Sequence, residues 1–169
     1  MTNLQLIIGI CLVAVFLSGC LESTYIGNPY IWTNDQVKAY YAKCPDLFAL
    51  KDTLIIDGYK WQSDGLNFNP LTDTVATPNF VLSHGGGNCN DLANLFQDFA
   101  KSTGTADEYV EYIIRNGLKW HSYTCFRVGD VWYMQSNISL VMIASPEASV
   151  EYWYSLGYQY RETVQKWSK

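Results

Sequence analysis

Three consecutive glycines, Gly85-Gly86-Gly87, stand directly before Asn88-Cys89-Asn90-Asp91, and this junction constrains the chain more than any other stretch. Glycine runs release the backbone from ordinary steric limits and allow a tight turn. The pattern that follows is helical, with Leu92, Leu95, Phe96, Phe99 and Ala100 recurring at three- and four-residue spacing. Asn88 or Asn90 can cap that helix, and Gly104 supplies a stop. Cys89 is thereby placed at, or one turn inside, a helix N-terminus. Free backbone N–H groups and the positive end of the helix dipole favour a thiolate there, so Cys89 is a candidate nucleophile.

The chain before the glycines has less chemistry. Thr33 or Asn34 can cap a helix over Asp35–Lys43, which Cys44-Pro45 ends. Leu54-Ile55-Ile56 followed by Asp57-Gly58 predicts a short strand and turn, and Gly58 to Pro70 reads as loop with one further short strand. His84 lies five residues before Cys89 and reads as a turn or surface histidine, because three glycines between the two oppose fixed contact.

The second half offers a base. Thr105 to Ile114 reads as a strand or mixed segment around Tyr109-Val-Glu-Tyr-Ile-Ile, and Asn116-Gly117 as a turn. Lys119 to Val128 then alternates, with Trp120, Ser122, Thr124 and Phe126 on one face and His121, Tyr123, Cys125 and Arg127 on the other. Gly129-Asp130 turns the chain into Val131–Asn137. His121 should therefore lie near Gln135, Ser136 and Asn137 on the returning strand. A histidine oriented by a polar side chain is what a thiol needs as general base and later acid. Ser145-Pro146-Glu147 starts a helix that ends near Gly157, and Tyr158–Trp167 reads as an edge strand guarded by Arg161 and Lys166.

These motifs resemble those of the transglutaminase-like superfamily, a branch of the papain-like fold, and most of all its bacterial cysteine proteinases. Gly87-Asn-Cys89-Asn-Asp91-Leu-Ala93 is similar to that family's Gly-x-Cys-x-Asp-x-Ala signature. Trp120-His121-Ser-Tyr and Gly129-Asp-Val-Trp132-Tyr are similar to its histidine strand and the turn and strand that follow. The resemblance covers roughly Thr77 to Asn137. It implies an α+β, papain-like core with the nucleophile at a helix N-terminus packed on an antiparallel sheet. It also implies a Cys89–His121 pair acting on peptide or amide bonds, as protease, amidase or acyltransferase; no cofactor is expected, and no metal, since three dispersed cysteines and two histidines show no ligand spacing. The family's third residue is usually an aspartate four positions after the Trp. Here Ser136 occupies that position, and Asn137 is preferred to it, reached by a bulge or register shift. The departure leaves a second reading open, a catalytically degenerate binding module of the cell envelope or a phage.

Leu4 to Leu17 is an almost unbroken apolar run, the size of a signal-peptide core and short for a membrane span. Leu17-Ser18-Gly19-Cys20 resembles the lipobox of bacterial lipoproteins, although Met1-Thr2-Asn3 lacks the usual basic residue. That resemblance implies a signal peptide over 1–19, lipidation of Cys20, a tether over 20–34 and one domain over 35–169. It implies anchoring to a membrane outside the cytoplasm, the outer membrane favoured because Leu21 is not aspartate. Cys11 then leaves with the signal. With Cys89 kept free as the nucleophile, Cys44 and Cys125 are the pair available for a disulfide in an oxidising compartment. A net charge of −5 with scattered basic residues argues against a nucleic-acid partner.

Overall fold

A computed structural model describes residues 31–62 and 74–169. The signal peptide expected over 1–19, the lipidation expected at Cys20 and most of the tether expected over 20–34 therefore fall outside the described residues, as does most of the loop expected up to Pro70. No described helix is long and apolar enough to cross a membrane.

Helix α1 (Asn34–Tyr41) begins with a capping box, in which the Thr33 side chain accepts from the Gln36 N–H and Gln36 answers to the Thr33 N–H. Helix α2 (Leu47–Ile56) corrects the strand expected at Leu54–Ile56. Asp46 caps it by accepting from the Ala49 N–H, and Leu47, Leu50 and Leu54 recur at helical spacing on its buried face. A short apolar run carries little periodicity of its own, and here the upstream cap and the core decide. Strand β1 (Lys60–Trp61) follows, then helix α3 (Pro78–His84) and strand β2 (Gly86–Gly87), which pairs with β1 in parallel.

Helix α4 (Cys89–Thr103) is the central helix. Asn88 is its N-cap and Gly104, at φ 67°, its C-cap. Strands β3 (Glu108–Asn116), β4 (Lys119–Val128), β5 (Val131–Ser136) and β6 (Ser139–Ile143) form a meander. Helix α5 (Pro146–Ser155), capped by Ser145, and strand β7 (Gln159–Ser168) complete the chain. The five-stranded sheet runs β6-β5-β4-β3-β7, antiparallel throughout, with β7 at one edge. The architecture is α+β.

Each face of the sheet carries its own hydrophobic cluster. On one, Tyr109 and Phe126 join Leu92, Leu95, Phe96 and Phe99 of α4, together with α1 and α2. On the other, Tyr112, Ile114, Tyr123, Cys125 and Met134 pack with Val150 and Trp153 of α5. Full burial of a side chain such as Phe96 or Phe99 contributes about 1.5–3 kcal/mol, which holds α4 firmly on the sheet.

This two-sided arrangement overturns the expected disulfide. Cys44, Cys89 and Cys125 are all free and buried. Cys44 belongs to the α4-side cluster, with its Sγ 3.6 Å from Thr53 Oγ1. Cys125 belongs to the α5-side cluster, with its Sγ 3.3 Å from Ser149 Oγ. The sheet stands between them.

Candidate active site

The glycine junction places Cys89 through close backbone approach. Gly86 has φ 153°, and a Cβ there would come within 2.0 Å of the Lys60 carbonyl oxygen. At Gly87 a Cβ would meet the Cβ of Asp91 at 2.7 Å. With both side chains absent, β2 lies against β1 and the first turn of α4 closes on Gly87. Asn88 Oδ1 then accepts from the N–H groups of Asn90 and Asp91, and Asp91 Oδ2 accepts from the Asn88 N–H. Asp91 Oδ1 also accepts from the Ala76 N–H at 2.7 Å. Gly87, Asn88 and Asp91 thus fix the helix start, and Ala93 is fully buried one turn further on. Cys89 is its first residue.

The thiol rests against the sheet. Cys89 Sγ accepts from the Ser122 backbone N–H at 3.3 Å. Register explains why that N–H is free. Strand β5 pairs with β4 only from Val128↔Val131 to Thr124↔Gln135, so the next amides of β4 lose their strand partner on that side. The sulfur therefore sits one peptide along from His121.

His121 projects to the α5 side of the sheet. Its ring centroid is 4.9 Å from that of Trp153, and its Nε2 is 2.9 Å from Ser136 Oγ. Nδ1 has no hydrogen-bond partner among the described residues, and the thiol and imidazole are not hydrogen-bonded to each other. Ser136, rather than Asn137, is the residue behind the histidine. The β4–β5 register contains no bulge, so the pleat puts Ser136 on the His121 face and turns the next residue away. Asn137 occupies the β5–β6 turn at φ 52°; its carbonyl accepts from Gln135 Nε2, and its buried Oδ1 has no partner among the described residues.

Burial sets both protonation states. It pushes the Cys89 thiol up to about 11, overriding the downward pull of the Ser122, Cys89 and Asn90 backbone N–H groups. Burial likewise holds the His121 imidazole down at about 4. The thiolate favoured by the helix start is thus replaced at rest by a neutral thiol, and the imidazole is neutral as well, because desolvation outweighs the helix terminus.

The chain matches no family model, no curated protein and no solved structure. Its site must be read from its own atoms.

Residues that the sequence reading missed support the thiol from below. Glu111 is buried on the α4 side of β3, where Oε1 accepts from Ser122 Oγ at 2.6 Å and Oε2 from Gln97 Nε2 at 2.9 Å. Gln97 Nε2 also donates to Thr124 Oγ1. This network ties α4 to β3 and β4 beside the amide that holds the sulfur. A lone glutamate in the run Tyr109-Val-Glu-Tyr-Ile-Ile was the available signal. His84, by contrast, belongs to α3; its Nδ1 lies 2.9 Å from both the Phe80 carbonyl and Ser83 Oγ, and its ring stacks on Phe80. Among the described residues no cluster of three or more His, Cys, Asp or Glu could hold a metal.

Proposed function

We propose that the protein is a papain-like, transglutaminase-like cysteine enzyme acting on peptide or amide bonds through Cys89, His121 and Ser136. The observation that carries this reading is the contact of Cys89 Sγ with the Ser122 N–H, one peptide from an imidazole whose far nitrogen is held by Ser136. Nε2–H donating to Ser136 Oγ leaves Nδ1 as the basic nitrogen. Nδ1 takes the thiol proton as Sγ attacks the carbonyl carbon. The C–N bond then breaks, its electron pair stays on nitrogen, and His121 returns the proton to the departing amine. Water or a second amine releases the acyl group from sulfur, giving hydrolysis or acyl transfer. The Cys89 backbone N–H, which the Asn88–Asp91 cap leaves out, is the donor for the oxyanion. Because the resting pair is neutral, proton transfer accompanies attack rather than preceding it. A lipid anchor at Cys20 would hold this chemistry at a membrane surface outside the cytoplasm.

A second reading is a non-catalytic binding module on the same fold. The raised thiol, the lowered imidazole and a hydroxyl in the third position favour it.

The two separate on treatment of the full chain with p-nitrophenyl acetate, followed by intact mass and nitrophenol release. The enzyme reading expects transient acetylation at Cys89, slowed on the order of 100-fold or more by His121→Ala. Acetylation that is absent, or indifferent to His121, leaves the binding module.

A further inference from the structure

The face of the sheet that carries His121 also carries a cavity of about 510 Å³, and the two share walls. Ser136, whose hydroxyl meets His121 Nε2, lines the cavity, as does Trp153, whose ring packs on the imidazole. Met134, Val141, Met142 and Tyr152 form much of the rest. None of its lining residues is charged. The volume lies within the range of about 300–1,000 Å³ usual for small-ligand pockets. Val141, Met142 and Tyr152 are 46%, 73% and 51% exposed, so the cavity opens to solvent. Trp153 also carries a buried indole N–H with no acceptor among the described residues.

The geometry points to this cavity as the subsite for an aromatic side chain on the amine half of the substrate, an inference that rests on the catalytic reading above. Chemistry fixes which half it serves. His121 must hand its proton to the departing nitrogen as the C–N bond breaks, so that nitrogen lies on the imidazole side of the thiol. The cavity meets the site through the two groups that touch the imidazole, Ser136 and Trp153. An amine entering to take the acyl group would use the same space, because it must surrender a proton to the same imidazole. Wall chemistry fixes the occupant. A thioether from Met134 and two aromatic rings, with no charge, suit a flat apolar ring, which gains sulfur–aromatic and ring–ring contacts that a small or charged side chain does not.

Methionine makes a clean reporter, since the chain has three: Met134 lines the cavity on the α5 side, whereas the register turns the Met142 side chain to the opposite face with Tyr133 and Leu140. The full chain, labelled with methyl-¹³C methionine and held in phospholipid nanodiscs, is titrated with phenylalanine amide, alanine amide and glutamic acid amide. Phenylalanine amide should shift the Met134 methyl, with the Met142 methyl of the opposite face as internal control, at a concentration at least tenfold lower than either other amide. Val141→Asp, at an exposed position, should weaken that binding tenfold and leave the weaker response to alanine amide unchanged. Equal response to the three amides overturns the subsite, and with acetylation intact the catalytic reading survives alone. Selective aromatic binding without His121-dependent acetylation overturns the assignment to a departing amine and leaves an aromatic-binding cavity with no reaction.

Discussion

Acidification should unfold this protein partly through a single imidazole. His121 lies between Trp153 and Ser136, and burial lowers it from 6.5 to about 4. In the unfolded chain the same group titrates near the ordinary histidine value of about 6.5. Between those two values the unfolded state binds the extra proton, so stability rises with pH across the window. The contribution is fully present above about pH 6.5, is lost as pH falls, and levels off below about pH 4. Its ceiling is roughly 3 kcal/mol, at 1.36 kcal/mol per decade, and partial exposure of the ring reduces it. Against a typical domain stability of about 5–15 kcal/mol this is measurable. Asp107 and Glu147 are held low by hydrogen bonds and lose stability in acid in the same direction, so the effect must be isolated by difference. The assay is urea unfolding of the wild type and His121→Gln from pH 4 to 8, with the imidazole followed by NMR. The wild-type advantage should grow with pH up to about 6.5 and then stay flat. An imidazole titrating at or above 6.5 would refute the reasoning. So would an advantage that shrinks as pH rises, which is the signature of a thiolate–imidazolium pair.

Three further outcomes follow from the same contacts. With its thiol near 11, Cys89 should react with iodoacetamide at pH 7.5 roughly 300-fold more slowly than a free thiol of pKa about 8.5, and normally once unfolded in urea. Gly86→Ala drives a Cβ against the Lys60 carbonyl in a strained backbone region and should cost about 2 kcal/mol or more, read as a lowered urea midpoint. Denaturing alkylation without reductant should label Cys44, Cys89 and Cys125 alike by peptide mass, whereas a Cys44–Cys125 bond would leave Cys89 as the one reactive thiol of these three.

What the sequence determined by itself is what short-range rules govern. Asn88 and Gly104 bound α4, Thr33 and Ser145 cap α1 and α5, and Gly129 turns β4 into β5, because each depends on residues within one turn or one hairpin. Cys89 at a helix start and His121 within reach of Ser136 were legible for the same reason. Tertiary structure decided the rest. Leu54–Ile56 became helix because Asp46 and the core beneath Leu47 and Leu50 outvoted a β-branched run. Ser136 took the place expected of Asn137 because an unbroken register leaves the pleat no freedom. Cys44 and Cys125 stayed apart because the sheet lies between their clusters. The protonation of Cys89 and His121 was beyond the sequence for a single physical reason. A helix dipole can be read from neighbours along the chain, whereas desolvation depends on what folds over the group, and here desolvation is the larger.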